Sequence, residues 1–186
     1  MRSIELQVAK TNIKYDVDRL IESFDSMRND IEPHQLNDGW EGWALTSRDG
    51  SIESGLWGYH ITDEMRANHS TYHPDLYFDQ ITPAYKYFDW ILDEWDCYRA
   101  RIINTGKLAE KQTPHRDGKV LRYTIPIIPS DKPFIKMGED YITAHEAGTL
   151  YILNGDYPHE PLINDDMDRY HLMFSIFDEN SNHRIR

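Results

Sequence analysis

Thr113-Pro114-His115-Arg116-Asp117-Gly118 holds the residues whose chemistry is easiest to read. His115 and Asp117 stand two apart, and in extended backbone side chains alternate sides, so an imidazole and a carboxylate emerge together. These are two ligands for a divalent metal. A third must come from far along the chain. His159 is the natural candidate, in Gly155-Asp156-Tyr157-Pro158-His159, just after the apolar stretch 148–154. Two imidazoles and one carboxylate leave three coordination positions open, a set that suits Fe(II) and a reaction whose reactants must reach the metal. A structural zinc site would be closed by four protein ligands.

Arg169 follows His159 by ten residues, at the start of an apolar strand pattern. Its planar fork matches a carboxylate with two hydrogen bonds. His171 lies two residues on and shares its face. Arg122 and Thr124 share one face of the stretch after the His-Asp pair. Two arginines directed at one cavity would suit a dianion. Taken alone, His-x-Asp is a weak signal in a chain with nine histidines. The ordered set, with its strand context, is far more specific.

Elements must position these groups. Residues 14–29 place Val17, Leu20, Ile21, Phe24 and Met27 at helical spacing. Thr82 to Trp95 reads as a second helix, with Thr82 as N-cap and Pro83 in the first turn. Residues 37–60 read as a hairpin and loops around the turn Arg48-Asp49-Gly50, and 61–80 as an irregular polar stretch. Strands are expected over 97–104, 120–128, 133–137, 140–145, 148–154 and 169–177. In the second of these Leu121, Tyr123, Ile125 and Ile127 share a face. Prolines 126, 129 and 133 hint at edges or bends. Helices followed by short strands at even spacing predict a mainly β fold with flanking helices, a double-stranded β-helix barrel of the jelly-roll or cupin kind.

With these strands in place, the chain resembles the Fe(II)/2-oxoglutarate-dependent dioxygenases. Within them it is most similar to the aspartyl/asparaginyl β-hydroxylase group, which includes bacterial proline hydroxylases. The likeness rests on His115-x-Asp117, Arg122 on the next strand, Gly-Asp-Tyr-Pro-His159, Asn164 and Arg169, and spans roughly residues 98–178. It implies Fe(II) held by His115, Asp117 and His159, and the distal carboxylate of 2-oxoglutarate paired with Arg169. It also implies Arg122, assisted by Thr124, as a second co-substrate contact, with Asn104 near the co-substrate's other end. One branch of the group lacks the metal-binding carboxylate; with Asp117 this chain looks like the complete-triad branch. The reaction implied consumes 2-oxoglutarate and O2, releases succinate and CO2, and hydroxylates an amino acid, free or as a side chain in a peptide. The alternative is a cupin-like metal-binding or scaffold protein without 2-oxoglutarate turnover. A cupin enzyme using a metal but no keto acid is a third reading. Neither needs inward arginines.

Composition bounds the rest. The 186 residues, with 39% hydrophobic and 12% aromatic content, predict one folded domain: a helical and loop region over 1–96, a barrel over 97–178 and a tail over 179–186. One cysteine, Cys97, excludes a disulfide framework and any Cys-rich zinc module, and reads as a small buried residue. The net charge of −12 argues against a phosphate-backbone partner, so no nucleic acid is expected. The first twenty residues contain no apolar core of signal-peptide length, and no run approaches the ~20 apolar residues of a membrane span. A reducing, cytoplasmic location and a small-molecule or peptide substrate are expected, with no membrane partner. The remaining candidates take plainer readings. His69 and His73 sit in a loop beside Pro74. His145-Glu146 and the run 164–168 are solvated turns. Trp40, Trp43 and Trp57 are core residues. Arg99 and Arg101 are ion-paired at the surface or hold an acidic substrate. His171 is either a co-substrate neighbour or a satisfied barrel histidine.

Overall fold

The computed structural model describes residues 7–35, 41–52, 78–104, 114–117, 121–143, 146–162 and 168–176. The expectations for Trp40, Trp57, His69, His73, His145, Asn164, residues 61–77 and the 179–186 tail fall outside them.

Chain order begins with β1 (Val8–Lys14), α1 (Val17–Asp30), β2 (His34–Gln35), β3 (Glu41–Ala44), β4 (Thr46–Ser47) and β5 (Gln80–Ile81). A 3-10 turn (Tyr85–Tyr87) and α2 (Asp89–Leu92) lead into β6 (Cys97–Asn104) and β7 (Leu121–Ile128). The last strands are β8 (Ile135–Met137), β9 (Asp140–Ile142), β10 (Thr149–Asn154), β11 (His159–Pro161) and β12 (Tyr170–Ile176). Seven strands form one sheet in the order β1-β10-β7-β12-β6-β3-β2. Three form a smaller sheet, β11-β8-β9, and β4 pairs with β5. Every pair is antiparallel. The four central strands of the large sheet and the small sheet are the two halves of a double-stranded β-helix.

The alternation of β7 divides the molecule. Tyr123, Ile125 and Ile127 face outward into a core with Leu20, Phe24 and Met27 of α1. Arg122 and Thr124 face inward, where Tyr151 and Leu153 of β10 meet Phe134, Ile135 and Met137 across the small sheet. Of the stripe its periodicity marked, helix α1 buries Leu20, Phe24 and Met27, while Val17 is half-buried and Ile21 is exposed. Its N-cap is Asp16, whose carboxylate accepts the Arg19 N–H at 3.0 Å. Phe24 meets Trp43 edge-on at 5.7 Å.

The second helix is shorter than its sequence pattern predicts. Phe88, at φ −126° and ψ 10°, interrupts it. The Asp89 carboxylate accepts the N–H of Trp90 at 2.6 Å, a local bond that competes with helical pairing. The apolar stripe still packs, because Ala84, Phe88, Ile91 and Leu92 are buried. Four strands were not expected: β1, β2, β5 and β11. β1 is an edge strand on which Lys10 and Lys14 pair with Glu146. β11 is too short to show a pattern. Pro126 sits inside β7, where it lacks a donor, and the pairing with β12 slips at that point. Gly148, at φ +72°, is required: a Cβ there would lie 2.6 Å from the Tyr15 carbonyl. Among the described residues no helix is long and apolar enough to cross a membrane.

Candidate metal centre

Backbone bonds bring the three predicted ligands together. The His115 N–H donates to the His159 carbonyl, and the His159 N–H to the His115 carbonyl, each at 2.9 Å. The Asp117 N–H donates to Gly155 O at 2.9 Å, and the Arg116 guanidinium to Asp156 O at 3.1 Å. The segment 114–117 thereby extends the small sheet beside β11. One ligand atom from each of His115, Asp117 and His159 lies within 4.8 Å of the others. His115 Nε2 is 3.8 Å from Asp117 Oδ1, and His159 Nε2 is 3.6 Å from Asp117 Oδ2.

Protonation favours ligation. His159 Nδ1 lies 2.9 Å from the Tyr157 carbonyl, which can only accept. Nδ1 therefore carries the proton, and the Nε2 lone pair faces Asp117. Burial lowers the His159 pKa from its ordinary value, against the opposing pull of the Tyr157 carbonyl and Asp117. Burial raises the cost of charging Asp117, but Arg122, His159, Arg101 and His115 together outweigh it and hold the carboxyl below its usual range. A neutral imidazole and an ionised carboxylate are the metal-binding forms.

The inner wall of the large sheet supplies the surroundings. Arg122, 5% exposed, donates through Nε to Asp117 Oδ2 at 3.3 Å and through Nη1 to Ser175 Oγ at 2.9 Å. Thr124 Oγ1 lies 3.2 Å from His171 Nδ1. His171 is fully buried against Phe134, ring centroids 4.9 Å apart. Burial, aided by Arg169, pushes its pKa down to about 3, so the ring is neutral. His171 Nε2 and Tyr151 Oη are buried with no hydrogen-bond partner among the described residues. Tyr151 stands opposite Thr124 in the strand register.

Arg169, 1% exposed, occupies the first position before β12. Its Nη1 donates to the carbonyls of Lys132 and Pro133 at 3.3 and 3.0 Å, and Nη2 to Leu162 O at 3.2 Å. Burial lowers its pKa to about 10. Its guanidinium lies over Phe134. Neither arginine expected at the co-substrate points to solvent.

The structure does not bring Asn104 to this wall. It pairs in register with Tyr170 and shares the outward parity of Ala100 and Ile102. Its amide donates to Glu41 and Asp168, and its oxygen accepts the Arg169 backbone N–H at 3.2 Å. Arg99 and Arg101 are not surface residues; they are 6% and 9% exposed, inside β6. Trp43 is core, as its composition context implied. Cys97 is partly buried, and burial pushes its thiol up to about 12. Tyr151 and Ser175 were missed, although strand alternation places both on the inward face.

No protein-family model and no curated protein sequence matches this chain. Solved structures do. An oxidoreductase of the 2OG-Fe(II) oxygenase family from Burkholderia pseudomallei is 11% identical with a TM-score of 0.51, covering 92% of this chain and 84% of that one. A prolyl-4-hydroxylase from Pseudomonas putida is 12% identical with a TM-score of 0.53, covering 94% of each. The non-heme alpha-ketoglutarate-dependent epimerase SnoN of nogalamycin biosynthesis is 14% identical with a TM-score of 0.52, covering 92% and 78%. At these identities the likeness establishes the fold, a double-stranded β-helix.

Proposed function

We propose that this chain is an Fe(II)- and 2-oxoglutarate-dependent oxygenase that hydroxylates an amino acid, free or as a side chain in a peptide. The observation that carries this reading is the two-His, one-carboxylate cluster with buried Arg122 against its carboxylate. The donor set fits Fe(II): two imidazoles and one oxygen donor on one side leave the remaining positions open. The wall fits an organic acid, because Tyr151 Oη and His171 Nε2 are buried polar atoms on the strands flanking Thr124. With iron, 2-oxoglutarate and O2 bound, the group supplies an oxidant able to hydroxylate an unactivated C–H bond, releasing succinate and CO2.

The chain's own residues do the rest. His115, Asp117 and His159 hold the ion, and the reciprocal backbone bonds between 115 and 159 fix their spacing. Tyr157 sets the His159 tautomer, and Arg122 orients Asp117 while lending positive charge to an incoming anion. Thr124, Tyr151 and neutral His171 offer hydrogen bonds to a co-substrate carboxylate. Arg169 adds positive potential from the base of the barrel. The apolar side chains of Met137, Leu153 and Phe134 exclude water. The proposal is tested by adding Fe(II) and 2-oxoglutarate to the metal-free protein without oxygen. The expected result is a weak visible charge-transfer band, followed by succinate when air is admitted. No band and no succinate would refute it.

A further inference from the structure

Behind Asp117 stands a chain of two side chains. Arg122 Nε donates to Asp117 Oδ2 at 3.3 Å, and Arg122 Nη1 donates to Ser175 Oγ at 2.9 Å. Arg122 and Ser175 are both buried. Strand register explains why a serine stands there. Thr124 pairs with Met173 and Tyr123 with Phe174, so the next step of the β7–β12 ladder sets Arg122 beside Ser175. On its other side Ser175 pairs with Tyr98 of β6. Met173 pairs with Arg101, so a regular antiparallel ladder would put Arg99 opposite Ser175. The ladder instead gains one residue in β6, where Arg99 takes a left-handed conformation at φ +50°. The bulge thus places Tyr98, rather than an arginine, opposite Ser175. One row across β10, β7, β12 and β6 then reads Leu153, Arg122, Ser175 and Tyr98. Tyr98 is buried but belongs to neither apolar core cluster.

A single bond holds an arginine loosely. Its side chain has several rotatable bonds, and ordering it costs up to ~2 kcal/mol. The contact to Asp117 by itself would let the guanidinium swivel about that bond. A second bond at Nη1 fixes its plane, because Nε and Nη1 belong to one rigid, planar fork. Both bonds lie in a buried setting, where low dielectric strengthens them, and losing the acceptor of a buried charged donor costs more than losing an exposed bond. Hydrogen-bond partners of this kind orient a ligating carboxylate and tune its hold on the metal. We propose that Ser175 is a positioning residue for the metal centre: it holds Arg122 so that Arg122 fixes Asp117. This rests on the metal-binding part of the oxygenase reading above.

The probe is Co(II) alone, added to the metal-free protein without oxygen; its ligand-field bands report binding to a nitrogen and oxygen donor set. Ser175→Ala is expected to weaken Co(II) binding about tenfold, the lower end of what loss of an outer hydrogen-bond partner costs a metal site. Ser175→Thr keeps the hydroxyl and should restore the affinity to within about threefold of wild type. Arg122→Gln should weaken binding roughly tenfold to a hundredfold. Because Ser175 acts through Arg122, adding Ser175→Ala to Arg122→Gln should change the affinity by less than about twofold. Urea unfolding of each metal-free variant checks that it is folded. Should Ser175→Ala not fold, Ser175→Cys, close in size and a weak acceptor, takes its place with the same expected loss. A Ser175→Ala affinity within about twofold of wild type would overturn the proposal. So would an undiminished loss in the Arg122→Gln background, an Arg122→Gln variant that binds as well as wild type, or a threonine variant as weak as the alanine one. An absence of Co(II) bands in the wild type would instead refute the metal centre itself, so the two failures are distinct.

Discussion

Lowering the pH should destabilise this protein through His171. The imidazole is fully buried beside Thr124, Phe134 and the field of Arg169, and its pKa falls to about 3. Unfolded, it would titrate near 6.5. Between these values the unfolded chain binds a proton that the folded chain refuses, so stability is lost as pH falls through 6.5 and continues to fall toward 3. Each pH unit in that window costs about 1.4 kcal/mol, so a drop from pH 6.5 to 5 costs about 2 kcal/mol from this one group. Urea unfolding of the metal-free protein at pH 7.5 and pH 5 measures the loss. His159, also lowered, contributes in the same direction, so the comparison is made against His171→Gln, which cannot take up the proton. The wild type should lose about 2 kcal/mol more than the variant over this range. Parallel losses in the two proteins would refute a neutral, buried His171.

Other perturbations test the packing and the base of the barrel. Phe24→Ala should cost about 3–5 kcal/mol in urea unfolding, because Phe24 is buried against Trp43 and Tyr170. A cost below about 1 kcal/mol would mean that α1 does not pack on the sheet as described. Gly148→Ala should destabilise by more than the roughly 1 kcal/mol typical of an ordinary glycine site, since both its φ and the Tyr15 carbonyl oppose a Cβ. Arg169→Lys keeps a charge but cannot reach the carbonyls of Lys132, Pro133 and Leu162 together. It should lower thermal stability and weaken 2-oxoglutarate binding while iron is retained. Unchanged keto-acid affinity would leave Arg169 a purely structural staple.

Much of this was legible because the large sheet is covered on both sides. In β7, Tyr123-Ile125-Ile127 and Arg122-Thr124 announce two different faces, and the structure fills one with helix and the other with polar groups. Asn104 was placed by the family resemblance and not by parity. Counting from Ala100 and Ile102 along β6 puts its side chain on the outer face, and the slip at Arg99 obscures the count from the other end. For Arg101 the sequence leaves a surface ion pair and an acidic-substrate contact both open. Its place in the middle of CYRARIIN, flanked by apolar residues, was the available signal. Edge strand β1 was hidden by its lysines, and β11 by its length of three residues. At the break Phe88 leaves helical geometry and the Asp89 carboxylate takes the Trp90 N–H, details that no periodicity reveals. The candidate cluster of His115, Asp117 and His159 could be placed together because His-x-Asp and a distant His after an apolar strand are tied to backbone pairing rather than to flexible side chains.

The central claim is that His115, Asp117 and His159 bind Fe(II) with room left for 2-oxoglutarate. Anaerobic spectroscopic titration of the wild type and His159→Ala tests it most directly. A saturable keto-acid band at one iron per chain is expected in the wild type, and its loss in the variant. An equal band in both, or none in the wild type, would contradict it.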